Sequence, residues 1–352
     1  PTCFPMELRF SGSLDRKSFT KAWTATIIRH PMLCSLVDDS GPRPIWIQVE
    51  GQLPEFDWAE AGVPISGSAE QIDLTVKAGI QCWLRVGSES SRVLIRFHHA
   101  SCDGLGAFQF AEDLLMHYHR EVDGAGSGIE LRTLQTDRLS RRATFSQIAE
   151  RPSYWLRLRY AIAISSLGVP ILLRHPAPLA RSTAHTGIAA NVTEQCYVTE
   201  PLDKNTVKSL RQKALSSGVT LNDLLLKDLF VILGEWQLQN GRRVTDWLRI
   251  NVPVSLRSAG DRVLPAANRL GYTFLTRRLR DCREGPKLLQ SIHDEMTAAS
   301  SKRSALRFLG GLTVASSING MMDWFLNRQR PYATIVFSNL GRVLNIKQLP
   351  RQ

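Results

Sequence analysis

The chain has 352 residues, 43% of them apolar, with 44 Lys and Arg against 32 Asp and Glu for a formal charge of +12. That length and apolar share describe a soluble globular protein that buries a full core, in one long domain or two comfortable ones. Six cysteines, at 3, 34, 82, 102, 196 and 282, are scattered without a close pair, which excludes a zinc module and fits a reducing, cytoplasmic interior.

In chain order, residues 1–150 read as one α/β unit. Phe19, Ala22, Trp23, Thr26 and Ile27 share one face of a helix over 15–29, which Pro31 ends. Strands are expected at 45–49, 82–86 and 93–97, separated by turn-rich loops at 62–68 and 124–128. Leu105, Phe108, Leu115 and Tyr118 recur at roughly helical spacing through 104–120. Residues 151–190 form a connection with an apolar run and a Pro-rich end (Pro170, Pro176, Pro178). From about 191 a second unit repeats the mixture, with helices expected at 203–216, 220–238 and 286–301 and strands at 247–254, 272–278 and 334–338. Thr220 with Asp223 forms a plausible capping box for the second of these helices.

The segment His98-His99-Ala100-Ser101-Cys102-Asp103-Gly104 lies where the 93–97 strand ends and the 104–120 helix begins. Side chains at such a point leave a rigid sheet for the crevice beyond it. Successive strand residues point to opposite faces, so His98 and His99 do not converge on one ion and no metal is expected. One histidine should face the crevice and the other pack behind it. A lone imidazole there suits proton acceptance from a hydroxyl, amine or thiol near neutral pH. A nucleophilic Cys102 lacks any sign of a cationic pocket and reads better as a small buried side chain. Asp103 either braces the loop or simply caps the following helix, and the residues alone leave both readings open.

The form of this segment, two histidines, three residues and Asp-Gly, resembles the signature of the chloramphenicol acetyltransferase-like and nonribosomal peptide synthetase condensation-domain superfamily. Other stretches match in order: ELRFSGSLDRKSFTKAWTATIIRHPMLCSL (7–36), TLNDLLLKDLFVIL (220–233), RINVPVSLR (249–257), NRLG (268–271) and TIVFSNLG (334–341). The resemblance implies two acetyltransferase-like α/β subdomains, 1–150 and 191–352, in a V-shaped pseudo-dimer around a substrate tunnel. It implies His99 as the catalytic base and Asp103 as a brace paired with Arg257 from the other half. His98, Gly104 and Asn268 belong to the motifs, and Ser338 and Asn339 would lie across the channel. Without the resemblance, a Ser-Asn pair ending an apolar strand reads as a turn and Arg257 as a surface residue. No Asp-Phe-Gly-Trp-Gly occurs, which argues against the plant-type branch, and the early glutamine motif of condensation domains is absent. The chain ends soon after Gly341, where the family continues, so either a shortened relative or a missing tail is expected.

The resemblance implies an acyltransferase that moves an acyl group from a thioester, on coenzyme A or a phosphopantetheinyl carrier protein, to a hydroxyl or amine acceptor, with no permanently bound cofactor. The alternative is a non-catalytic binding or docking module of the same fold. Basic pairs at 141–142, 242–243, 277–278 with Arg280, and 302–303 are dispersed, without a nucleic-acid motif. Steering of a phosphate-bearing donor or an acidic carrier explains their sign as well as solvated surface charge does. The stretch 154–173 is apolar with two arginines, Arg157 and Arg159, near its start, but its charge-free part, 160–173, is shorter than the roughly 20 residues of a membrane span. Together with 308–326 it reads as peripheral membrane contact or as cover for an acyl passage. The expected location is the cytoplasm, with the membrane surface as the second place.

Overall fold

The computed structural model describes residues 3–41, 44–49, 51, 53–68, 70–124, 130–141, 174–181, 198–283, 285–300, 312, 320–321 and 331–341. These fall into two compact units, one within Pro1–Ala143, Arg257–Arg269 and Leu340–Gln352, the other within Thr144–Leu256 and Leu270–Asn339. The stretch 154–173 lies outside the described residues, as does nearly all of 308–326. Among the described residues no helix is long and apolar enough to cross a membrane.

In the first unit, strands β1 (Cys3–Ser11), β4 (Phe56–Glu60), β5 (Ile80–Val86) and β6 (Ser90–His98) form a sheet of order β1-β6-β5-β4. β6 runs antiparallel to both neighbours, and β4 is parallel to β5. A separate pair joins β2 (Leu36–Asp38) to β3 (Ile45–Ile47). Helix α1 (Arg16–Arg29) starts at Asp15, whose carboxylate accepts the Ser18 amide at 2.6 Å, and buries the five residues its periodicity selects: Phe19, Ala22, Trp23, Thr26 and Ile27. Helix α2 (Gly104–Asp123) brings Ala107, Phe110, Ala111 and Leu114 into the same core. There Phe110 meets Trp23 and Phe97 edge-on, with ring centroids 5.6 and 5.8 Å apart. Each such side chain adds about 1.5–3 kcal/mol by leaving water, and this core fixes the end of β6 and the start of α2.

In the second unit, α3 (Lys204–Ser216) is capped by Asp203, and α4 (Leu221–Gln239) carries the expected capping box of Thr220 and Asp223. β7 (Trp247–Ser255) is the centre of a sheet of order β8-β7-β9, antiparallel to β8 (Leu270–Arg278) and parallel to β9 (Ile335–Val336). Helix α5 (Pro286–Ser300) supplies Leu288 and Ile292 to a core with Leu226, Phe230, Leu248, Ile250 and Leu275.

One assignment from the sequence is corrected here. The stretch 257–269, read as part of the second half, belongs to the first unit. Its backbone is held there by hydrogen bonds: the Gln135 amide donates to Val263 O at 2.7 Å, Arg138 to Gly260 O at 2.8 Å, and Gln109 Nε2 to Leu264 O at 2.6 Å. Leu264 and Ala267 also pack with Met32 and Leu139 in a small apolar cluster. Arg257 is therefore a residue of the first unit.

Candidate active site

β6 delivers the double histidine. Its residues Val93, Ile95, Arg96 and Phe97 are buried, and at His98 the strand ends opposite Cys3 of β1. The His98 amide donates to Gly79 O at 2.8 Å, and the His98 carbonyl accepts from the Ser101 and Cys102 amides at 3.0 and 3.2 Å, which closes the turn. His98 Nδ1 accepts the Ala100 amide at 3.1 Å, so its ring serves its own turn. Neither histidine is packed away, as the sequence reading had one of them: both are half-buried.

The His99 ring lies against Phe4 of β1, with centroids 4.4 Å apart and planes tilted by 39°. Its Nδ1 is enclosed and has no hydrogen-bond partner. Burial lowers the pKa of His99 below the ordinary imidazole value, and the charge of Asp103 offsets part of that effect while His98 adds to it. Such a lowered pKa keeps the ring in its neutral form at pH 7. Cys102 is fully buried, and burial raises its thiol pKa well above the ordinary range, which removes it as a nucleophile.

Asp103 does both things between which the sequence could not choose. Its Oδ1 accepts the Gly106 amide at 2.8 Å, capping α2, and the same oxygen takes Arg257 at 2.8 Å. Oδ2 accepts the Arg269 amide at 2.9 Å. Arg257 also donates to Ala267 O at 2.7 Å, and Asn268 Nδ2 donates to the carbonyl of His99 at 2.7 Å. Asp103, Arg257, Asn268 and the His99 backbone thus form one assembly. The parts that sequence reasoning missed are main-chain groups, the Arg269 amide and the Ala267 carbonyl, which leave no mark in residue identity beyond the NRLG stretch that contains the first.

Two glycines permit this approach. A Cβ on Gly104 would stand 2.7 Å from Leu340 Cδ2, the movable end of a side chain. A Cβ on Gly106 would stand 3.1 Å from both N and O of Ala267, which are backbone and cannot swing aside. Gly106→Ala should therefore destabilise the protein by about 1–3 kcal/mol through overpacking, while Gly104→Ala costs less. Chemical denaturation of the two variants compares them. Ser338 and Asn339 belong to the second unit, where both are exposed and Asn339 Nδ2 donates to Asn222 Oδ1 of α4 at 3.2 Å.

No family model matches the chain. A curated relative, the nonribosomal peptide synthetase dtxS1 of Metarhizium robertsii, is 32% identical over 131 residues, or 35% of this chain. The chain spans 2% of that protein's length. Among solved structures, the first condensation domain of the CDA synthetase matches 97% of this chain and 77% of its own length, at 16% identity and a TM-score of 0.62. The chain has the fold of these condensation domains. The nonribosomal peptide synthetase FmoA3 matches 98% of this chain over 36% of its own, at 19% identity and a TM-score of 0.63. The epimerization domain of tyrocidine synthetase B, TycB3(E), shares the fold at 12% identity and a TM-score of 0.62, over 94% of this chain and 71% of its own. Within this condensation-domain fold, the His98–Gly104 segment occupies the junction of β6 and α2 described above.

Proposed function

We propose that the chain transfers an acyl or peptidyl group from a thioester to a hydroxyl or amine acceptor, with His99 as general base. One observation carries the reading: a neutral imidazole, half-buried, stands one residue beyond the end of β6, while its own backbone is anchored through Asn268 and its ring nitrogen Nδ1 serves no structural bond. His99 takes the proton of the acceptor X–H as X attacks the thioester carbonyl. The tetrahedral intermediate then expels the thiolate, which receives that proton from the imidazolium. No acyl-enzyme forms. A positioned base supplies about 10²–10⁴-fold, and holding both reactants adjacent supplies the larger part.

The donor favoured is a thioester on a phosphopantetheinyl carrier protein, in line with the condensation domains of peptide and polyketide synthetases whose fold this is. Acyl-coenzyme A presents the same phosphopantetheine arm. Asp103, Arg257 and Asn268 keep the loop in place and do not touch the reacting atoms.

The pH dependence tests the base directly. Transfer requires neutral His99, and a lowered pKa extends the neutral form to more acidic solution. With a hydroxyl acceptor, which does not itself titrate, kcat/KM should stay level as pH falls through about 6.5, the ordinary imidazole value, and decline only below it. A decline centred above that value would contradict the assignment. Free-thiol release from a panel of acyl thioesters separates this reading from a binding module, which would bind them and release nothing.

A further inference from the structure

His30 follows α1 and is completely buried. Its Nδ1 accepts the amide hydrogen of Ala266 at 2.8 Å, and its Nε2 lies 3.2 Å from Asp113 Oδ2 on α2. A ring nitrogen that accepts an N–H carries no proton, so the proton of this neutral imidazole sits on Nε2 and points at the carboxylate. Burial lowers the pKa of His30, Asp113 opposes that, and the charges of Arg29 and Arg132 reinforce it. Asp113 is secured in turn: burial alone would raise its pKa, but the hydrogen bonds from His30 and Arg29 and the charge of Arg29 outweigh this and lower it. Arg29 Nε donates to the same Oδ2 at 2.9 Å and its NH2 group to Arg132 O at 2.5 Å.

Ala266 immediately precedes the two residues that hold the reactive loop. The Ala267 carbonyl takes Arg257, and Asn268 grips the His99 carbonyl. We propose that His30 is a positioning residue for His99: its Nδ1 clasps Ala266, and through Ala267 and Asn268 that clasp sets the backbone from which the catalytic ring projects. The inference rests on the reading of His99 as base. It assigns a role to the Arg-His-Pro turn that neither the acyl-transfer step nor the Asp103–Arg257 pair requires.

Two substitutions divide the ring's two bonds. An asparagine places an amide oxygen near the position of Nδ1, and a glutamine places its amide near that of Nε2. His30→Asn should keep the Ala266 amide slow in hydrogen exchange and keep thiol release from acyl phosphopantetheine thioesters close to the wild-type rate. His30→Gln should speed exchange at Ala266 and lower kcat by about tenfold or more at unchanged KM, since a displacement of about 1 Å costs up to ~10²-fold. A merely structural histidine would lower the melting temperature of both variants alike and leave kcat alone. Wild-type exchange at Ala266 in the glutamine variant overturns the clasp whatever the activity. Faster exchange with an unchanged kcat overturns the positioning role while the acyl-transfer reading stands. Wild-type protein that releases no thiol from any thioester overturns that reading, and the positioning role falls with it.

Discussion

Replacing His99 with alanine should slow acyl transfer by about 10²–10⁴-fold, the usual share of a positioned general base. The loss should fall almost entirely on chemistry. His99 Nδ1 has no hydrogen-bond partner, so the substitution removes no structural bond made by that atom, and the hold of Asn268 on the His99 carbonyl is a main-chain contact that alanine keeps. The stacking on Phe4 is lost, at about 0.5–1.5 kcal/mol. The variant should therefore melt near the wild type while its initial rate of thiol release collapses. His98→Ala is the matched control: it removes the bond from the Ala100 amide to His98 Nδ1 and leaves His99 in place. An alanine variant at position 99 that transfers acyl groups at the wild-type rate would remove His99 from the mechanism.

Asp103→Ala should fail in a different way, losing stability and activity together. Its carboxylate is fully buried and accepts three bonds, from the Gly106 amide, from Arg257 and from the Arg269 amide. Alanine takes the cap from α2, worth about 1 kcal/mol, and takes this carboxylate away from the largely buried Arg257 guanidinium, for which breaking a buried pair costs about 3–5 kcal/mol. A domain stable by only about 5–15 kcal/mol loses much of its margin, and soluble yield should drop with activity. Asp103→Asn keeps an acceptor for the Gly106 amide and supplies a milder second variant. Because the negative charge of Asp103 supports protonation of His99, its neutralisation should shift the acid limb of the pH–rate profile to lower pH. An Asp103→Ala protein of wild-type stability but no activity would instead make the carboxylate part of the chemistry.

The helices were the most legible part of the sequence. α4 declares itself through the capping box of Thr220 and Asp223, and α1 through its apolar face, Phe19, Ala22, Trp23, Thr26 and Ile27, all of which it buries. β6 is legible for the same reason, as an apolar β-branched run. β4 was missed because Phe56-Asp57-Trp58-Ala59-Glu60 carries two acids in five residues and lies at the sheet edge, where one side is solvated. The pairing of Asp103 with Arg257 was reachable by resemblance alone, since 154 residues separate them, and the unit in which Arg257 sits was not reachable at all. That placement depends on main-chain bonds of 257–269 to Gln109, Gln135 and Arg138, and a carbonyl has the same identity in every residue. The clasp at His30 shares this property: a ring nitrogen meets an amide 236 positions away.

The central claim, that this chain moves acyl groups off a thioester, is tested most directly by acceptor-dependent thiol release. Purified protein is given acyl phosphopantetheine thioesters of graded chain length, with and without a hydroxyl or amine acceptor, and the free thiol is measured over time. The account predicts release that rises with the acceptor and is matched mole for mole by the ester or amide formed. Thiol release no faster than in buffer across the whole panel, or release without acylated product, would contradict it.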